Sequence, residues 1–166
     1  ASFRVDSVTP KLMESLISSG MKTLTMAPEA GSNRMRAVIN KGITEADLLA
    51  TCKNAFSLGW KLVKCYFMTG LPTETEADVE AIVELVRAAR NQAGAAWKSV
   101  QINLGVGTFV PKACTAFQWE GQLGLEAAQE RIHLLKRLLP ARGYHLKWHD
   151  PRQSYLEGVF ARGDRR

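Results

Sequence analysis

The chain has 166 residues, of which 46% are hydrophobic and 23% charged, the balance of an ordinary globular domain long enough to bury a core. No apolar run reaches the roughly 18–20 residues of a membrane span. Cys52, Cys65 and Cys114 are scattered, so they offer neither a disulfide framework nor metal-ligand spacing, and a reducing cytoplasm is the expected location. The net charge of +6 is uneven. From Lys112 onward the basic residues Arg131, Lys136, Arg137, Arg142, Lys147, Arg152 and Arg162 accumulate, a pattern open to a solvated surface or to contact with phosphates.

In chain order, Phe3-Arg4-Val5-Asp6-Ser7 reads as the tail of a strand. Thr9-Pro10 opens a helix, with threonine as N-cap and proline at the first helical position. Leu12, Leu16 and Ile17 give that helix an apolar face, and Gly20 ends it. Thr23–Ala27 is the next strand. It feeds the loop Pro28-Glu29-Ala30-Gly31-Ser32, a helix from about Asn33 to Ile39 and the turn Asn40-Lys41-Gly42. Thr44 caps a further helix, with Asp47 three residues on. Leu48, Leu49, Cys52, Ala55, Phe56 and Leu58 form its core face, and Gly59 stops it.

Leu62–Met68 is a strand-like run stopped by Gly70-Leu71-Pro72. Thr75, followed by Asp78, opens a helix whose apolar residues Val79, Ile82, Val83, Leu85, Val86 and Ala89 recur near a 3.6 period. A loop over Asn91–Ala96 precedes the alternating strand Ser99–Leu104. Gly105–Pro111 reads as a flexible turn region, and Ala113–Gly121 is irregular. A helix over Leu125–Leu139 follows, then a strand at Tyr144–Trp148, a turn at His149-Asp150-Pro151 and a short helix over Ser154–Phe160.

Strands separated by helices specify an α/β fold with a parallel sheet. Two architectures satisfy this order, a (β/α) barrel and a doubly wound open sheet. About five strands are too few for a complete eight-stranded barrel, so the barrel would be a partial, TIM-like one. In either fold ligands bind at the carboxyl ends of the strands. Three strand ends carry loops richer than a plain connection: Ala27–Ser32, Met68–Thr75 and Gly105–Pro111.

Within these loops Glu29 can accept hydrogen bonds from an amine or a ribose diol, or can cap the following helix with its charge. Lys41 can reach back over the strand ends to a carboxylate, or complement the helix C-terminus. Gly70 lets backbone approach a flat ligand such as adenine, or serves an ordinary turn. Gly105-Val106-Gly107 is no dinucleotide fingerprint, because Val110 stands where the third glycine belongs. His145 and His149 share a strand face, a thin case for a metal. Lys64 is the candidate Schiff-base lysine of an aldolase-like barrel, a role that needs an apolar, desolvated setting.

Taken together, the segments Ala27–Ser32 (APEAGS), Ile39–Thr44 (INKGIT) and Tyr66–Thr75 (YFMTGLPTET) resemble the later strands of radical S-adenosylmethionine (SAM) enzymes. The similarity is greatest to the cobalamin-binding-domain-linked members. The tail Trp148–Arg152 (WHDPR), continuing through Leu156–Arg166, resembles one subfamily of these. The resemblance implies a (β/α)6-type barrel in which a reduced [4Fe–4S] cluster cleaves SAM and a radical abstracts hydrogen from a substrate. It assigns SAM contacts to Glu29 and Ser32 after the fourth strand, to Lys41 after the short helix, and to Tyr66, Met68 and Gly70 at the fifth strand end. Thr108 would border SAM or substrate after the sixth.

The CxxxCxxC cluster motif of that family is absent from these residues. The expectation is therefore that residues 1–166 are the carboxyl-terminal portion of the barrel, lacking its first strands, with a basic extension from about 144. The cluster ligands would lie outside the chain. Cobalamin is left open as a cofactor of the whole protein, and the chain alone is expected to be catalytically inert. Its expected partners are SAM, the missing amino-terminal part of the same protein and, through an exposed strand edge, a second copy; no membrane partner is expected. The alternative is a barrel-derived module that binds RNA through the basic tail.

Overall fold

The computed structural model describes residues 10–21 and 23–163. The strand expected at Phe3–Ser7 and the Thr9 cap lie outside them. The elements are α1 (Pro10–Ser18), β1 (Thr23–Glu29), α2 (Asn33–Val38), α3 (Glu45–Ser57), β2 (Leu62–Thr69), α4 (Glu76–Asn91), a 3₁₀ turn (Gly94–Ser99), β3 (Gln101–Thr108), α5 (Leu125–Leu138), β4 (Tyr144–Trp148) and α6 (Pro151–Arg162). Among the described residues four strands form one sheet in the order β1-β2-β3-β4, and every neighbouring pair is parallel.

Burial alternates strictly along the central strands. Leu24 and Met26, Val63, Cys65 and Phe67, and Ile102, Leu104 and Val106 share one face with Leu48, Cys52 and Ala55 of α3, Val79 to Val86 of α4, and Ile132 and Leu135 of α5. Val79, Ile82, Val83 and Val86 are at most 2% exposed, and burying each such side chain contributes about 1.5–3 kcal/mol. The other face, with Lys64, Tyr66, Asn103, Gly105 and Lys147, is open. A doubly wound sheet has helices on both faces and a reversal in strand order. Sequential order with helices on one face is the arrangement of a barrel segment, so the fold is α/β with a partial β/α barrel.

The helix starts follow from local chemistry. The Thr44 hydroxyl accepts from the Asp47 N–H at 3.2 Å, and the Asp47 carboxylate accepts from the Thr44 N–H at 2.9 Å, a reciprocal cap. Asp78 accepts from the Thr75 N–H at 2.9 Å and from its hydroxyl at 2.7 Å.

Three expectations need correction. Gly105-Val106-Gly107 is not a turn: β3 runs in register with β2 as far as Thr69↔Thr108. The glycine is needed because the Tyr66 ring lies over this strand; a Cβ on Gly105 would stand 2.7 Å from its Cδ1 and Cε1. The Asn91–Ala96 loop is shorter than expected, since α4 extends to Asn91 and a 3₁₀ turn begins at Gly94. The last helix starts at Pro151 and not at Ser154. Asp150 is its N-cap, accepting from the Arg152 N–H at 3.0 Å, with Pro151 at the first helical position.

A second apolar cluster seals the carboxyl end of the sheet. Ala30, Met35, Leu71 and Phe109 are buried there, with Ile39, Met68 and Phe117 packed against them. Phe109 and Phe117 meet edge to face, 5.9 Å between centroids. Over this cluster the 112–123 segment is tied to α6 by the Lys112–Glu157 ion pair, by Gln122 Nε2 donating to the Ser154 carbonyl at 2.7 Å, and by Arg162 donating to the Glu120 carbonyl at 2.9 Å.

Candidate functional site

The loop after β1 is built around an ion pair. Lys41 Nζ lies 3.1 Å from Glu29 Oε1, so the lysine does reach back over the strand ends to a carboxylate. Both side chains keep partial access to solvent, 31% for Lys41 and 26% for Glu29. Glu29 does not cap α2. That role belongs to Ser32, whose hydroxyl accepts from the Met35 N–H at 3.1 Å. Glu29 sits at φ +67° beside a register shift in β1, a conformation that costs a non-glycine residue about 1–3 kcal/mol. Thr73, in the loop after β2, is held at φ +65°. Backbone strain thus gathers at the ends of the two strands whose loops carry the candidate residues.

These loops are locked in large part by two arginines that sequence reasoning passed over. Arg36 is 1% exposed. It donates to the Ala30 and Gly31 carbonyls at 2.8 and 2.9 Å, to the Ile43 carbonyl at 3.2 Å and to Asn33 Oδ1 at 2.6 Å. One buried guanidinium therefore fixes both ends of the 30–43 stretch. Arg34 pairs with Asp78 and donates to the Thr73 carbonyl at 2.9 Å, joining the two loops. Ser32 also donates to Asp78 Oδ1 at 2.7 Å. Desolvation pushes the Asp78 carboxyl up, but the hydrogen bonds from Arg34, Ser32 and Thr75 outweigh it and hold the group well below the usual carboxylate range. The Thr75–Asp78 spacing was the available signal for Asp78. Nothing in the sequence marks Arg36 as buried, since an arginine in a short helix normally faces water.

The loop after β2 turns at Gly70, which has φ +80°. Its N–H donates to Glu74 Oε2 at 2.7 Å. Burial raises the Glu74 carboxyl to about 7, while the Gly70 N–H and nearby Arg131 pull in the opposite direction. The space where a Gly70 Cβ would stand is taken by Leu123, 2.9 Å away. Gly70 thus serves the turn and a close side-chain approach.

The other sequence-designated residues fall on two faces. Tyr66 and Met68 alternate onto the open face, Tyr66 47% exposed and Met68 partly covered by the cluster at the strand ends. Thr108 has the opposite parity. It pairs in register with Thr69, and both hydroxyls are buried without a hydrogen-bond partner. Glu29 and Lys41 thus meet at the end of β1, Tyr66 and Met68 lie along the open face of β2, Ser32 is bonded to α2 and Asp78, and Thr108 shares the parity of the helix-facing residues of β3. His145 and Lys147 share the open face, and His149 continues it beyond the strand. Lys64 is exposed there, without the desolvation a Schiff-base lysine needs.

The cysteines do not form a ligand set. Cys52 is fully buried and its thiol is pushed up to about 12 by burial; Cys65, also buried, is raised well above the usual thiol range by the same cause. Cys114 is exposed. Among the described residues no three His, Cys, Asp or Glu side chains are grouped to hold a metal ion, so these residues do not fit an iron–sulfur cluster. The open face, by contrast, carries a groove of about 400 Å³ lined by Lys64, Tyr66, Asn103, Gly105, Lys147 and His149.

An uncharacterized protein of Methanocaldococcus jannaschii, MJ0966, is 32% identical over 164 residues, which cover 99% of this chain and 34% of that protein. The chain thus spans about a third of the length of the curated relative it matches. The family model of the radical SAM superfamily matches residues 2–86, just over half of the chain and including β1, β2 and both of their strand-end loops. The chain belongs to the radical SAM superfamily.

Proposed function

We propose that this chain supplies the carboxyl-terminal strands of a radical SAM catalytic barrel and holds SAM against the ends of β1 and β2. The observation that carries this reading is the Glu29–Lys41 pair, 3.1 Å apart and partly open to solvent at the strand ends. A carboxylate beside an ammonium matches the ammonium and carboxylate of the SAM methionyl group, and Glu29 can also accept from the ribose diol. Tyr66, Met68 and the Gly70 turn offer flat and apolar surface for the adenine. Ser32 acts as a positioning residue through its bond to Asp78, and Arg36 fixes the loop carrying Glu29.

When bound, SAM would be the source of a hydrogen-abstracting radical after reductive cleavage at a [4Fe–4S] cluster. The cysteines described above do not fit that cluster, so its ligands are assigned to another part of the longer protein, and this chain alone is proposed to be inactive. What the chain itself does is bind, orient and shield. The apolar cluster of Leu71, Phe109 and Phe117 closes the strand ends against water.

Equilibrium dialysis of labelled SAM against the 166-residue chain tests the reading. Saturable binding is expected. Glu29→Gln or Lys41→Gln should weaken it about tenfold, the loss of one charge-assisted contact of about 1.4 kcal/mol. Glu84→Gln, on the solvent side of α4, should leave it unchanged. Binding indifferent to Glu29 and Lys41 would refute the assignment.

A further inference from the structure

The interior of a closed β/α barrel is ordinarily a packed core of branched apolar side chains. The open face of this sheet is different. In register across it run Lys64, Asn103 and His145, and two residues further on Tyr66, Gly105 and Lys147. Residues of both rows line the groove of about 400 Å³, together with His149. Among the described residues neither Lys64 nor Lys147 has a carboxylate partner, whereas Lys41 and Lys112 do. Asn103, which also lines the groove, accepts at Oδ1 from the Gln101 side-chain amide at 2.7 Å. The Tyr66 ring lies over Gly105, leaning from β2 toward β4. Strands two apart are separated by about 10 Å, a span that two lysine stems can bridge around one small ligand. Leu104 and Trp148 complete the lining, and among the described residues no acid borders the groove.

We infer that this groove takes the oxyanion end of the substrate, a carboxylate or a phosphate held between Lys64 and Lys147 against the Tyr66 ring. The inference names the substrate class for the site proposed above and rests on the reading of the open face as barrel interior. The occupant is a small anion and not a second copy of the chain, because the cations of a second copy would repel these.

The test is an NMR titration of the 166-residue chain with inorganic phosphate and, separately, with succinate, following the Tyr66 ring and lysine side-chain signals. Saturable shifts are expected with at least one of the two, and the tighter ligand identifies phosphate or carboxylate as the source. In the Lys64→Gln/Lys147→Gln double variant the Kd should rise at least tenfold, and in Lys53→Gln, an exposed lysine of α3, it should not change. No saturable shift with either anion, an equal loss in Lys53→Gln, or Tyr66 shifts that track protein concentration would each overturn the inference. Glu29→Gln separates the two claims. Failed SAM binding with intact anion binding would sink the SAM assignment alone. Intact SAM binding without anion binding would sink this inference alone.

Discussion

Glu74, in the loop after β2, and Asp78, in the first turn of α4, stand four residues apart and respond to pH in opposite senses. Glu74, raised to about 7 from an ordinary 4.5, binds its proton more tightly in the folded chain than in the unfolded one. Its contribution is complete below the unfolded value and is lost as pH rises through about 7. Asp78 is depressed, so its contribution is present above the ordinary carboxylate value and is lost as pH falls through its folded one. Between pH 5 and 8 only Glu74 titrates of the two. Urea denaturation should show the wild-type chain losing on the order of 1–3 kcal/mol over that range, and Glu74→Gln should flatten the slope. Equal slopes would contradict the assignment. The Asp78 cap was legible because Thr75 and Asp78 lie at capping-box spacing. The Glu74 environment was not, since its burial is a product of the fold and the pull of Arg131 comes from a distant helix, α5.

At the scale of elements, glycines separate what sequence can and cannot convey. Alternation over Ser99–Leu104 marked a strand, but Gly105 and Gly107 were read as its end because glycine signals a turn when nothing else is known. The reason for Gly105 is a tyrosine on the neighbouring strand. Gly31 has a similar non-local cause: a Cβ there would stand 2.2 Å from the Ile82 nitrogen, so the loop after β1 lies directly on the backbone of α4. Gly107 has nothing within 4 Å of the corresponding position. Thermal denaturation should therefore find Gly31→Ala destabilised by at least about 2 kcal/mol, at the upper end of overpacking costs, and Gly107→Ala close to neutral. A neutral Gly31→Ala would show that the loop and α4 do not touch.

For the molecule as a whole, the periodicity of each element was enough to specify α/β order, and the helix between successive strands was enough to specify parallel neighbours. It could not decide between a barrel and a doubly wound sheet, because that choice depends on whether successive helices pack one face or two. Nor could it fix the parity of β2, which decides that Lys64, Tyr66 and Met68 face the opening while Cys65 and Phe67 face the helices. The reach of Lys41 to a carboxylate over the strand ends was legible as one of two options, but that the carboxylate is Glu29 emerges only in the fold. Once parity is fixed, Lys64, Tyr66 and Lys147 line an open groove on one side of the sheet, and the helix side is a closed apolar core. SAM should therefore bind this chain at the ends of β1 and β2. In an amide-detected NMR map recorded on adding SAM, the largest shifts should fall on Glu29, Lys41, Tyr66, Met68 and Gly70. Shifts concentrated instead around Arg90, Trp97 and Arg142, at the opposite end of the strands, would contradict it.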